Sequence, residues 1–165
     1  MRFILLDKVT ELVPGKKIST VKALSLAEEY LADHFPQFPV LPGVLMIEAL
    51  VQSAAMLVHV TQNFAHSMVV LQEARNVKYK SFVKPGNILQ INLEAKSISQ
   101  DSSSFVGEAH IEGQPMVEAR IKLRHFNLQE TDKGLADLDA RIIKELQRRA
   151  QLVGACGKVS GGTIL

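Results

Sequence analysis

A run of apolar residues from position 43 to about position 62 constrains the fold of this 165-residue chain more than any other feature. The run follows Pro42, and proline is tolerated in the first turn of a helix but not in its interior. Apolar side chains recur on nearly every side of the predicted helix, so other structure must surround it. Glu48 and Gln52 interrupt the run, which argues against a membrane span. We therefore expect a buried central helix in one domain.

The segments on both sides of this helix have the composition of β-strands separated by turns. The predicted strands comprise residues 3–13, 16–24, 68–78, 88–98, 104–111 and 115–126. Ser25, followed three positions later by Glu28, indicates the capping box of a short helix that continues through residue 31. Two strands, one buried helix and four further strands make an α+β pattern. A single antiparallel sheet curved around the helix satisfies that pattern.

The C-terminal part of the chain has a different periodicity. Between residues 135 and 153, apolar side chains recur at three- and four-residue spacing opposite charged ones. This pattern predicts an amphipathic helix that ends at Gly154. We expect a domain over residues 1–128, a helical extension over residues 129–154 and a disordered tail over residues 155–165.

Composition and charge exclude several classes of protein. The formal net charge is only +2, so nothing indicates a nucleic-acid-binding protein. The single cysteine, Cys156, excludes a disulfide framework and a cysteine-based zinc site. The first residues lack the charged, apolar and small-residue succession of a signal peptide. We expect a soluble, cytoplasmic protein.

The residues around the helix start carry groups that are suited to proton transfer. Three prolines stiffen the segment between His34 and Gly43. Gly43 lies at the predicted helix N-terminus, where unpaired N–H groups polarise a carbonyl oxygen and glycine allows close approach. Glu48 and Gln52 share one helix face, so Gln52 can orient the carboxyl group. The set suits proton abstraction beside a polarised carbonyl, with acid-assisted loss of a leaving group.

A structural explanation competes with this catalytic one. A histidine beside a turn is commonly an ordinary loop residue, and a helix glutamate commonly faces solvent. Against this explanation, the surroundings of Glu48 are apolar, and burying a charge there without a role would cost free energy. On spacing alone the two explanations carry about equal weight, because a two-residue motif is a weak signal.

The segment His34-Phe-Pro-x-x-Pro-x-x-Pro-Gly43-Val-Leu-x-x-Glu48-Ala-x-x-Gln52 resembles the active-site signature of the 3-hydroxyacyl-acyl-carrier-protein dehydratases of the FabZ type. The resemblance extends to Val77-Lys-Tyr-Lys-Ser-Phe-Val-Lys-Pro-Gly and covers roughly residues 2–126. It implies the hot-dog fold, in which a curved antiparallel sheet surrounds one long helix. It also implies that acyl carrier protein delivers the substrate, that the enzyme is an obligate homodimer and often a trimer of dimers, and that no metal or organic cofactor takes part.

The resemblance also assigns roles to individual residues. His34 matches the base that acts at the α-carbon, and Glu48 matches the acid that protonates the departing hydroxyl. Gln52 would hold Glu48, and the N–H of Gly43 would bind the thioester carbonyl. The implied reaction removes water from a (3R)-hydroxyacyl thioester and gives a trans-2-enoyl thioester, with the two catalytic groups coming from different subunits.

This sequence departs from the family pattern beside the histidine. Asp33 and Gln37 stand where the family commonly has glycine, and Phe38 stands where it usually has a polar residue. Phe38 is a candidate for narrowing or lining the acyl tunnel. The alternatives are a low-activity acyl-thioester-binding protein, a hot-dog thioesterase, and a dehydratase that also isomerises its product. The last is disfavoured because such relatives carry aspartate where Glu48 stands.

Overall fold

The computed structural model describes residues 3–35 and 37–156. Six strands form one antiparallel sheet in the order β1-β2-β4-β5-β6-β3. The strands are β1 (Lys8–Val13), β2 (Lys17–Ala23), β3 (Met68–Tyr79), β4 (Ile88–Ile98), β5 (Ser102–Ile111) and β6 (Gln114–Phe126). The helices are α1 (Tyr30–Asp33), α2 (Gly43–Thr61) and α3 (Ala136–Leu152), with 3₁₀ turns at Leu128–Glu130 and Lys133–Leu135. The predicted α+β architecture, with one central and one C-terminal helix, is confirmed.

Helix α2 forms the centre of the core and contacts each strand from β2 to β6. Leu50 and Leu57 are fully buried, as the apolar periodicity of this helix requires. Gly107 of β5 allows the sheet to approach α2 closely, because a Cβ there would lie 2.5 Å from Leu93 Cδ2 and 3.5 Å from Leu50 Cδ2. By length and composition α2 could cross a membrane, but 67% of its apolar window is buried inside the fold. Its apolarity is that of a core helix.

The edge strand β3 is irregular in its pairing with β6. The register shifts between Leu71 and Glu73 and again between Arg75 and Lys78. Asn76, within the second shift, has φ of 52°, a left-handed conformation that asparagine adopts more readily than most residues. β-Bulges of this kind bend a strand and increase its twist. The irregular register therefore helps β3 to curve around α2.

Two predictions for the N-terminal part are wrong in detail. The first strand begins at Lys8 and not at residue 3, because the N–H of Leu5 donates to the side chain of Gln52 instead of to a strand. The helix predicted from Ser25 is a turn, and the one-turn helix α1 follows it. The carboxylate of Glu28 accepts a 2.6 Å hydrogen bond from Lys22 Nζ and therefore does not complete a capping box.

Helix α3 packs against the N-terminal segment and the start of β3. The carboxylate of Asp139 accepts hydrogen bonds from Ser67 Oγ at 2.5 Å and from the N–H groups of Leu128 and Gln129 at 3.0 and 2.9 Å. Burial opposes ionisation, but these three hydrogen bonds outweigh it, so the pKa of Asp139 lies below its usual range. One end of α3 is thereby fixed by a buried carboxylate.

The other end of α3 is fixed by the backbone. The N–H of Val9 in β1 donates to the carbonyl of Val153 at 2.8 Å. Ala155 is buried and Cys156 packs against the core, although both belong to the segment predicted to be a disordered tail. The rest of that segment, residues 157–165, lies outside the described residues. The extension is therefore an ordered part of the fold up to residue 156.

Candidate active site

The segment that carries His34 is held at both ends. His34 caps α1, and its N–H donates to the carbonyl of Tyr30 at 3.2 Å. The next residue, Phe35, has φ of 58°, and its carbonyl accepts a 2.7 Å hydrogen bond from the N–H of Phe38. Further along, the N–H of Leu41 donates to the carbonyl of Val83 at 2.9 Å. Backbone hydrogen bonds thus hold Phe38 and Leu41 between the histidine and α2.

The imidazole of His34 is oriented by a backbone carbonyl. Nδ1 lies 3.2 Å from the carbonyl oxygen of Val40. A carbonyl oxygen can only accept a hydrogen bond, so Nδ1 must carry the proton. In the neutral ring, Nε2 then has a free lone pair. This tautomer is the one that a general base acting through Nε2 requires.

Gly43 is the first residue of α2, directly after Pro42. The first N–H groups of an α-helix have no partners within the helix, and the positive end of the dipole lies there. A Cβ at position 43 would lie 3.0 Å from the Tyr79 ring, so glycine lets this aromatic ring lie against the helix start. The sequence predicts a glycine that admits a ligand, and the structure adds a contact with Tyr79.

The side chain of Gln52 is the most completely paired polar group of this region. Nε2 donates to Oε1 of Glu48 at 3.0 Å and to the carbonyl of Phe3 at 3.0 Å. Oε1 accepts from the N–H of Leu5 at 3.0 Å and from Nη2 of Arg149 at 3.3 Å. A carbonyl oxygen and an N–H group of the backbone therefore determine which way the amide faces. The hydrogen bond from Gln52 to Glu48 is the contact through which the predicted support of Glu48 would act.

The contact from Arg149 could not be found from the sequence. Arg149 belongs to α3, 97 positions from Gln52, and the family signature ends well before it. Its position in an amphipathic helix suggests only a charged surface residue. The contact depends on the tertiary packing of α3, which no local pattern encodes.

The three residues that depart from the family pattern lie at the surface. Asp33 and Gln37 are exposed. Phe38 is partly exposed and packs edge to face against Phe82, with ring centroids 5.8 Å apart. Lys84 Nζ lies 5.0 Å from the centroid of the Phe38 ring, within the range of a cation–π contact. Phe38 thus belongs to an aromatic cluster with a positive charge above it.

The structure brings together only part of the predicted site. Glu48 and Gln52 are hydrogen-bonded, and Gly43 begins the helix that carries both. Among the described residues, no hydrogen bond or ion pair joins His34 to Glu48: the histidine bonds to Val40 and the glutamate to Gln52. Within residues 3–35 and 37–156, no group of three or more His, Cys, Asp or Glu side chains could hold a metal ion.

A second group of titratable side chains lies at the opposite end of α2. His59 is buried, and its ring stacks on Phe64 at 5.9 Å between centroids. Burial, together with repulsion from His125 and His66, lowers the pKa of His59 from 6.5 to about 4. Burial likewise lowers the pKa of His125. His59 and His125 are therefore neutral near pH 7 and are part of the core.

A curved antiparallel sheet around one long central helix defines the class of hot-dog proteins. A sequence profile described as FabA-like domain matches residues 1–121. The chain belongs to the FabA-like family.

Curated relatives include two enzymes named 3-hydroxyacyl-[acyl-carrier-protein] dehydratase FabZ. The protein of Ruminiclostridium cellulolyticum is 36% identical over 120 residues, which cover 73% of this chain and 84% of that protein. The protein of Bordetella pertussis is 33% identical over 136 residues, which cover 77% of this chain and 88% of that protein.

Solved structures agree on the fold. The dehydratase heterocomplex ApeI:P from Xenorhabdus doucetiae aligns with a TM-score of 0.68 and 20% identity, over 81% of this chain and 90% of that chain. A mutant of the fluoroacetyl-CoA-specific thioesterase FlK aligns with a TM-score of 0.58 and 11% identity, over 77% of this chain and 97% of that chain. Hot-dog proteins of different activities share this fold, so the site has to indicate the chemistry.

Proposed function

We propose that the protein is a 3-hydroxyacyl-[acyl-carrier-protein] dehydratase, which removes water from a (3R)-hydroxyacyl thioester in fatty-acid or related acyl-chain synthesis. The observation that carries the proposal is the carboxyl group of Glu48, held by Gln52 on a largely apolar core helix. A carboxyl group placed and hydrogen-bonded in this way is suited to proton transfer and not to surface solvation. Membership of the FabA-like family and the names of the curated relatives support the same reaction.

In the proposed reaction, Nε2 of His34 removes a proton from the carbon next to the thioester carbonyl. The electron pair of that C–H bond forms the new double bond as the bond from the β-carbon to the hydroxyl oxygen breaks. Glu48 gives a proton to this oxygen, which leaves as water. The N–H of Gly43 stabilises the negative charge that develops on the carbonyl oxygen. Proton exchange with solvent then restores His34 and Glu48.

The proposal also covers the carrier of the substrate, the path of the acyl chain, the cofactors and the compartment. Acyl carrier protein presents the thioester, and Phe38 borders the path of the acyl chain, where Lys84 supplies a positive charge. The reaction changes no net oxidation state, and His34, Glu48 and the N–H of Gly43 supply the base, the acid and the carbonyl donor, so the proposal includes neither a metal nor an organic cofactor. We propose that the enzyme is soluble and acts in the cytoplasm; the burial of the one long apolar helix of the described residues inside the sheet supports a soluble protein.

The reverse reaction gives a direct assay. Hydration of a crotonyl or longer enoyl thioester removes the conjugated double bond and lowers the ultraviolet absorbance. His34→Ala and Glu48→Gln will each slow hydration by about 10²- to 10⁴-fold, the usual contribution of a positioned acid or base. Hydration by the wild type that does not exceed that of the double variant would refute the dehydratase. Release of a free thiol would instead indicate a thioesterase, and thioester binding without either change would indicate a binding protein.

We also propose that the enzyme is a homodimer, alone or as the unit of a trimer of dimers, in which each site takes His34 from one subunit and Glu48 from the other. The resemblance to the FabZ-type dehydratases supports this division; among the described residues, His34 bonds to Val40 and Glu48 bonds to Gln52. Unfolding the inactive His34→Ala and Glu48→Gln proteins, mixing them and refolding them together tests whether the site is shared. A shared site predicts that mixed dimers regain one of their two sites, whereas sites confined to one chain predict no recovery.

A further inference from the structure

The C-terminal helix α3 reaches the residue that holds Glu48. Nη2 of Arg149 lies 3.3 Å from Oε1 of Gln52, and Nε2 of the same amide lies 3.0 Å from Oε1 of Glu48. The three side chains therefore form a chain of hydrogen bonds in which a cation donates to an amide and the amide donates to a carboxyl group. Arg149 is half-buried and borders a cavity of about 220 Å³ between α2, α3 and the start of β3.

The contact has a specific electronic consequence. A hydrogen bond from a cation to the amide oxygen of Gln52 polarises the amide and strengthens the hydrogen bond that its N–H group donates. The recipient of that stronger hydrogen bond is Glu48. Arg149 also occupies the second acceptor position of Oε1, beside the N–H of Leu5, so the amide has no unpaired lone pair that favours another rotamer.

The position of Arg149 is itself fixed by the rest of α3. Asp139 ties the start of the helix to Ser67, and the carbonyl of Val153 accepts from β1 at its end. The neighbouring Arg148 shows the contrast, because its side chain is 72% exposed and lies 3.8 Å from Glu145 of the same helix. Arg149 alone of this pair faces the central helix, and it does so at Gln52.

We propose that Arg149 is a positioning residue for Glu48, acting through Gln52, so that the C-terminal extension is part of the catalytic unit. This inference rests on the proposed function, because it assigns Arg149 to the acid of that reaction. It goes beyond the family signature, which ends before α3. Arg149 does not touch the substrate in this scheme, and its effect is transmitted through one amide.

The test compares Arg149→Met, which keeps an unbranched apolar stem but has no donor or charge, with Arg149→Lys and with the matched control Arg148→Met. Arg149→Met will lower kcat about tenfold with little change in KM, because a displaced acid affects the chemical step and not ground-state binding. Arg149→Lys will recover most of kcat, because an ammonium group also donates to Oε1. Arg148→Met will keep wild-type kcat. Thermal melting confirms that all three variants are folded at the assay temperature.

A double-mutant cycle separates positioning from general stabilisation of the fold. In a Gln52→Leu background, the hydrogen bonds from Arg149 to Gln52 and from Gln52 to Glu48 are already lost. Arg149→Met will therefore cause no further loss of kcat there. Losses that multiply would overturn the inference, as would an unchanged kcat in Arg149→Met alone. A loss confined to thermal stability would overturn it as well, since that is the result of a purely structural contact.

A measurement that needs no turnover keeps this inference distinct from the proposed function. The side-chain amide of Gln52 gives an NMR signal that will move in Arg149→Met and stay in place in Arg148→Met. If the amide signal of Gln52 does not move in Arg149→Met, the inference is overturned even if the wild type is fully active. A wild type without hydration activity overturns the proposed function, and the positioning role falls with it.

Discussion

Replacing the buried His59 with phenylalanine will make the protein more resistant to acid. The phenyl ring can keep the stacking on Phe64, but it cannot take up a proton. In the folded wild type the pKa of His59 is about 4, against 6.5 for the ordinary group. The unfolded chain therefore takes up this proton first as the pH falls. The stabilisation from the neutral ring is complete above about pH 6.5 and is lost as the pH falls towards 4.

The magnitude follows from the two pKa values. Between pH 7.5 and pH 5, protonation of the unfolded state at this one site lowers the free energy of unfolding by about 2 kcal/mol. His66 and His125 repel a proton on His59, which adds to the effect of burial. The pKa of His125 is lowered mainly by its own burial, so His59→Phe will remove part of the acid sensitivity and not all of it.

Urea unfolding at the two pH values measures this difference for the wild type and for His59→Phe. The quantity to compare is the change in the free energy of unfolding between the pH values, which removes any effect of the substitution on packing. His110→Gln is the control, because His110 lies beside Glu108 on the sheet and not in this cluster. An equal acid loss in the wild type and in His59→Phe would refute the assignment of His59 as a buried neutral base.

Two further substitutions separate packing from function at glycine positions. Gly107→Ala will lower the free energy of unfolding by about 1–3 kcal/mol, because the new Cβ overlaps Leu93, and urea unfolding that shows no loss would contradict the close approach of sheet and helix. Gly43→Ala will leave the free energy of unfolding unchanged or raise it by up to about 1 kcal/mol, because alanine favours helix and the half-exposed Tyr79 can move aside. The same substitution will lower kcat/KM for enoyl-thioester hydration by about tenfold or more. Wild-type kcat/KM in Gly43→Ala would exclude the helix start as the carbonyl site.

The architecture was predictable because its signals are local and repeated. A helix that is apolar on nearly every side, as in residues 43–61, is either a core helix or a membrane span. The polar Glu48 and Gln52 favoured the core helix. The four long strands after α2 were bounded by turn residues, so their limits differ by at most two positions from the observed ones. Residue type and spacing also indicated that Gln52 would hold Glu48, since positions four apart share a helix face.

The parts that could not be predicted depend on partners far away in the sequence. The N–H of Leu5 bonds to Gln52 and not to a neighbouring strand, which shortened the first strand. Glu28 bonds to Lys22, which removed the expected capping box after Ser25. The same holds for Arg149, whose only local signal was its charge. In each case a tertiary hydrogen bond outweighs a local preference of roughly 1 kcal/mol.

The irregular pairing of β3 has a consequence for the behaviour of the protein at high concentration. A straight, unpaired edge strand offers a continuous row of N–H and C=O groups on which further chains can add without limit. The two register shifts of β3, with Asn76 at φ of 52°, interrupt the regular pairing pattern along its 12 residues. A straight strand added at this edge would meet an interruption of the row at each shift. The bulges that help the sheet to curve around its helix therefore also make this edge a poorer template for the open-ended addition of strands.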